Sequence, residues 1–144
     1  MSDNALNLLG IAKKAGMLEI GADSVGTCAR SRKARLIISA SDASGNSLRA
    51  AENCAAASHA VFLTVPYTKA ELGEVIGRGN PGMLAITDIG MASAFVSKLA
   101  QSWPDMYSGT NELLSEKARR TQYRKNAAKA RNSNIGKGKR RTNK

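Results

Sequence analysis

The chain is predicted to fold as an α/β domain, a sheet covered by helices on both faces. Two observations predict it. Short apolar runs of strand length, such as Leu36-Ile37-Ile38-Ser39-Ala40 and residues 60–65, alternate with segments whose apolar residues recur at helical spacing. The runs are continuously apolar and β-branched, the mark of strands buried on both faces. A body of about 100 residues makes one domain that buries its own core.

Ala5, Leu8, Leu9, Ala12 and Ala15 form the apolar stripe of a first helix, which Ser2 or Asp3 can cap and Gly16 can end. Lys14 points away from that stripe and Lys13 flanks it. An extended piece, 17–20, leads to Gly21, and residues 22–32 read as a second helix with Asp23 and Ser24 in its first turn. After the strand 36–40 comes a loop of cap-forming residues, Ser41-Asp42-Ala43-Ser44-Gly45-Asn46. A third helix, 47–58, carries Leu48, Ala51 and Ala55. The strand 60–65 closes at Pro66, and Thr68 can cap a fourth helix whose stripe is Leu72, Val75 and Ile76. Residues 77–82 form a tight loop, 83–87 another strand, and Ala92, Phe95, Val96 and Leu99 mark a fifth helix.

Trp103-Pro104 ends the pattern. Residues 110–131 have many helix formers and no Pro, but Leu113 and Leu114 are their only large aliphatics, so no stripe is expected to dock them. From Asn132 the composition is low-complexity and predicts disorder. The domain boundaries expected are 1–103 for the body and 104–144 for a basic tail, largely disordered or conditionally helical.

Charge separates the two parts. From Gln101 to Lys144 there are 12 Lys/Arg against three acids, a balance of +9, whereas residues 1–100 carry 10 against eight, a balance of +2. A near-neutral body with a strongly basic tail suits a partner with a dense negative backbone, nucleic acid first and an anionic membrane surface second. Met1-Ser2-Asp3-Asn4 has no basic n-region and no apolar run behind it, and the apolar runs are too short to span a bilayer. A cytoplasmic location is expected. Cys28 and Cys54 form no Cys-x-x-Cys pair, and Cys28 shares a stripe with Val25 and Ala29 as a small core residue would. With His59 as the one histidine, a zinc site lacks ligands.

Gly77-Arg78-Gly79-Asn80-Pro81-Gly82 matches the letters of a dinucleotide fingerprint, but a helix precedes it and a strand follows, the reverse of what that fingerprint needs. Asp42 and Asp88 stand just past strand ends, where Asp serves as a helix cap or a catalytic acid; the capping reading is preferred. No nucleophile stands with a base, so no catalytic residue and no cofactor are expected and the chain is not read as an enzyme.

A longer pattern is more specific. Residues 8–21, Leu-Leu-Gly-Ile-Ala-Lys-Lys-Ala-Gly-Met-Leu-Glu-Ile-Gly, resemble the opening of the kink-turn RNA-binding family of ribosomal protein L-seven-Ae and its small bacterial homologues. The resemblance continues through residues 34–44 with Asn46, Val65-Pro66-Tyr67-Thr68-Lys69-Ala70-Glu71-Leu72-Gly73, and Leu84-Ala85-Ile86-Thr87-Asp88, covering about residues 4–100 in element order. It implies a three-layer α-β-α sandwich around a mixed four-stranded sheet, with RNA against one end. In the family the second helix places its N-terminus in a widened groove beside tandem G·A pairs, where free N–H groups and the helix dipole attract phosphate and base acceptors.

Carried over, the family's glycine is Gly21, its following polar contacts fall at Ala22, Asp23 and Ser24, and a lysine one turn later falls at Thr27. The loop that packs on an extruded base is 77–83. The chain departs from the family at Asp23, where Asn or Lys is usual, at Ser24, where Glu or Gln is, and at Thr27, which lacks the amine. Fewer direct contacts weaken base discrimination. Asp23 and Ser24 read equally well as caps of the second helix.

The RNA-facing set expected from all this is Lys13, Lys14, Gly21, Ala22, Asp23, Ser24, Thr27, Ser41, Asp42, Arg78, Gly79, Asn80 and Pro81 in the body, with Arg119, Arg120, Arg124 and Lys125 neutralising phosphates from the tail. The partner expected is ribosomal or another structured RNA, with no membrane, bound by a monomer. The alternatives are a small enzyme acting on RNA or nucleotides through Asp42 or Asp88, and a scaffold for protein partners.

Overall fold

The computed structural model describes residues 4–77 and 79–142, those beyond Arg131 by backbone alone. Ser2 and Asp3, read as caps, lie outside the described residues. The elements run α1 (Asn4–Lys14), β1 (Leu18–Ile20), α2 (Ala22–Arg30), β2 (Leu36–Ser39), α3 (Gly45–Ser58), β3 (Val61–Thr64), α4 (Lys69–Ile76), β4 (Met83–Ile86), α5 (Ile89–Ser102) and α6 (Pro104–Thr142).

The four strands make one mixed sheet in the order β1-β4-β2-β3. β4 runs antiparallel to β1 and β2, with Leu36 opposite Ile86 and Ile38 opposite Leu84, while β2 and β3 are parallel. Successive side chains leave opposite faces, and each face has its own core. Leu36, Ile38, Leu84 and Ile86 pack with Leu9 of α1, Leu72 and Ile76 of α4 and Phe95 and Leu99 of α5. Ile37, Met83 and Ala85 pack with Val25 and Cys28 of α2 and with Ala51 and Ala55 of α3. This is the α-β-α sandwich. β2 and β4 are buried along their whole length because both stand inside the sheet; β3 is at an edge and half-buried.

Helix ends follow local chemistry. Ser44 accepts from the Ser47 amide and starts α3 two residues before the predicted position. Thr68 and Glu71 form a reciprocal capping box on α4, and Asp88 caps α5 through the Met91 amide. α2 ends at Arg30, short of the predicted 32, because Arg32 turns left-handed at φ 58°.

The tail is where expectation and structure part. Pro104, which suits a first helical position, opens α6 directly after Trp103, and α6 folds back along α5. Tyr107 and Leu114 are fully buried in the core, so the expectation that nothing docks beyond Trp103 is corrected. A stripe exists, but Thr110 and Asn111 fill its middle and hide it from hydropathy. The backbone of α6 continues to Thr142, and no proline after Pro104 interrupts it.

Candidate nucleic-acid interface

The sheet has two ends, and each gathers different chemistry. At the end where β1, β2 and β3 finish and β4 begins, backbone hydrogen bonds tie four connections together. Gly21 donates to the Met83 carbonyl at 3.1 Å, Ala40 to Gly82 at 3.0 Å and Ser41 to Tyr67 at 2.8 Å. Asp42 Oδ1 accepts from the Lys69 amide at 2.8 Å, which pins its loop to the start of α4.

Gly21 adopts φ 88°, a conformation open to glycine, and turns the chain directly from β1 into α2. Gly21 has no side chain to accept the first amides of α2, and no side-chain cap is present there. Asp23 and Ser24 lie inside the first turn, so the capping alternative for them is not what the structure shows. By contrast α3, α4 and α5 each have a side-chain cap. Ala22 and Asp23 are exposed, leaving the amides of this turn available to an outside acceptor.

The neighbouring loop is held close. Gly79 and Asn80 are exposed, Pro81 is buried beneath them, and a Cβ at Gly82 would lie 2.7 Å from Ser47 Oγ. Arg78 lies outside the described residues. Lys13 sits at the base of this loop, where its Nζ donates to the Ile76 carbonyl at 2.5 Å and satisfies the C-terminus of α4. Lys14 is exposed beside it. The sequence-predicted residues Gly21, Ala22, Asp23, Ser24, Ser41, Asp42, Gly79 and Asn80 thus come to one end; Pro81 anchors the loop from inside.

Thr27 is one turn along α2. Its hydroxyl donates to the Asp23 carbonyl at 3.0 Å and accepts from Arg30 Nη2 at 3.2 Å, so the Arg30 guanidinium folds back beside the position where the amine is missing. Sequence reading missed Arg30. Its signal was the short run of cations from Arg30 through Arg32 and Lys33 to Arg35, diluted in a body of low net charge.

The tail cations are elsewhere. Arg120 and Arg124 reach the opposite end of the sheet and line a cleft of about 400 Å³ with Arg35, His59 and Lys117. Arg119 and Arg120 both pair with the exposed Glu116, whose carboxyl is held below its usual value first by the hydrogen bond from Arg119. Lys125 is exposed. Burial pushes the Cys28 thiol up, with Glu19 adding to the effect and Lys33 and Arg35 opposing it.

Among the described residues no group of three or more His, Cys, Asp or Glu is placed to hold a metal ion, and no helix is long and apolar enough to cross a membrane.

The fold defines a class: a four-stranded mixed sheet between helical layers, with α2 entering from a left-handed glycine. A protein of unknown function from Bacillus halodurans C shares that fold at a TM-score of 0.61 and 22% identity, over 67% of this chain and 97% of that one. The Giardia lamblia 15.5kD RNA binding protein shares it at a TM-score of 0.54 and 17% identity, over 76% of this chain and 85% of that one. No family model and no curated protein matches the sequence.

Proposed function

We propose that this chain is a non-catalytic RNA-binding protein that receives a structured RNA at the sheet end built around Gly21. The observation that carries this reading is the start of α2, which lacks a side-chain cap, has Ala22 and Asp23 exposed, and is tied through the Gly21–Met83 hydrogen bond to the end of the loop that carries the exposed Gly79 and Asn80. Free amides at a helix start suit phosphate oxygens and base acceptors. The fold it shares with an RNA-binding protein of Giardia lamblia supports the reading, as does the +9 balance from Gln101 to Lys144. On the sequence resemblance the partner we propose is ribosomal or another kink-turn-like RNA, and we expect a monomer to bind it in the cytoplasm.

The test is a titration of the full chain with a kink-turn RNA and with a plain RNA duplex at low and moderate salt. We expect tighter binding to the kink-turn RNA, and an affinity that falls by roughly 10³–10⁵ between 50 and 200 mM salt if six to ten phosphates are neutralised. Equal binding to both RNAs would remove the selective role from the Gly21 end. No binding to either would remove RNA as the partner.

A further inference from the structure

That reading counts the charge of the tail but does not say where it acts; three of its cations, Lys117, Arg120 and Arg124, line the cleft at the far end of the sheet. It lies where β2 and β3 begin and β4 ends: Ala34 and Arg35 lead into β2, His59 precedes β3, and Ile89 follows β4. The remaining wall is α6, which contributes Lys117, Arg120, Thr121 and Arg124. Their spacing of three, four and seven residues puts them on one helix face, and Leu114, buried one turn earlier, fixes that face toward the body.

The lining has four permanent cations and no acid. Lys117 and Arg124 have no ion pair among the described residues, and Arg35 reaches only the Arg32 carbonyl, at 3.5 Å. Ala34 and Ile89 are the sole apolar members, so the cleft lacks the greasy walls that a nucleobase or an apolar ligand needs. It is built for an anion. The charge also continues outward on both sides, to Arg32 and Lys33 on the α2–β2 turn and to Lys125, Lys129 and Arg131 along α6. A track of cations fits a polyanion better than a single small ion.

We propose that this cleft is a second RNA site, which grips the phosphate backbone of a segment remote from the one at Gly21, so that the protein bridges two parts of one RNA. The proposal rests on the reading above that the partner is RNA. Guanidinium forks from Arg35 and Arg124 suit successive phosphates and carry no base preference, while Arg120 is paired with Glu116. This end therefore adds affinity and geometry, and selectivity stays at the other.

The test measures affinity of the full chain for a plain RNA duplex against salt, for the unmodified protein and a triple variant, Arg35→Gln with Lys117→Gln and Arg124→Gln. All three side chains are exposed or half-buried, and circular dichroism checks the fold. We expect the slope of log affinity on log salt to become shallower by roughly two to three, at about 0.7–0.9 per lost phosphate contact. The charge-preserving variant Arg35→Lys with Lys117→Arg and Arg124→Lys should keep the original slope. A folded triple variant with unchanged slope and affinity overturns the cleft. An unmodified protein that binds no RNA overturns the parent reading instead.

Discussion

The Tyr107 hydroxyl donates a 2.9 Å hydrogen bond to the Thr64 carbonyl, joining the first turns of α6 to the last residue of β3. Seven residues later Leu114 is buried, so α6 leaves the core in a direction set at two points. The cations further along this helix are aimed by the body. This makes the division between a folded body and a trailing tail too simple, and its consequences are measurable.

Leu114→Ala should destabilise the protein by about 2–5 kcal/mol, the cost of a cavity in a packed core. Leu113 is 48% exposed, and Leu113→Ala should change stability by no more than about 0.5 kcal/mol. Urea denaturation of the two variants checks the contrast. Equal effects would mean that α6 does not dock through this face.

Burial pushes the Tyr107 phenol above its ordinary value. The fold therefore favours the neutral form. That contribution is complete below the ordinary tyrosine value of about 10 and is lost as pH rises above it. Tyr107→Phe should cost about 1 kcal/mol at neutral pH through the lost hydrogen bond. The same variant should show a weaker loss of stability above pH 10 than the parent, in melts recorded across the alkaline range.

Gly82→Ala should destabilise by roughly 1–3 kcal/mol, because the new Cβ meets Ser47 Oγ at 2.7 Å. Ser47→Ala should relieve the clash, since the Ser47 Cβ stands at an ordinary 3.6 Å. A double-mutant cycle with no coupling between the two positions would show that the loop shifts freely away from α3.

Asp23→Asn should leave the fold nearly as stable, losing at most the 0.3–1 kcal/mol or so of an acid at a helix start. If RNA meets this turn, removal of the like charge should tighten binding about fivefold, on the order of 1 kcal/mol near a solvated surface. Unchanged affinity in a folded variant would place the RNA away from Asp23.

A thiol reagent applied to the native protein should label Cys54, which is half-buried, before Cys28, which is buried and whose thiol that burial pushes above its ordinary value. Mass spectrometry of partly labelled protein distinguishes them. Faster labelling at Cys28 would mean that α2 opens readily.

The element order was legible because apolar periodicity changes cleanly between strands such as Leu36-Ile37-Ile38 and helices such as the one bearing Phe95 and Leu99. Caps at Thr68 and Asp88 were legible too, since their side chains act on amides three residues away. Long-range pairing has no such local signature. That β4 separates β1 from β2, and that Gly21 meets Met83, follow from register across the sheet; the resemblance to a known family supplied the sheet type in advance. The docking of α6 was missed because a tyrosine and one leucine seven residues apart make a seam too thin for hydropathy. The far cleft was missed because it joins Arg35 to residues more than eighty positions away, a juxtaposition made only by folding.

The order β1-β4-β2-β3 leaves the sheet two borders, and an open strand border invites another chain to extend it. β1 is three residues long, too short to template much. β3 is the vulnerable one, and its final carbonyl is already taken by Tyr107. A protein cut before Pro104 would lose more than charge and core: the Thr64 carbonyl at its β3 border would be free to pair with a second copy. Chains that ought to repel one another by their excess of lysine and arginine would then have both lost that repulsion and gained a place to join. Through that one hydrogen bond α6 keeps the last edge carbonyl of the sheet from a second copy.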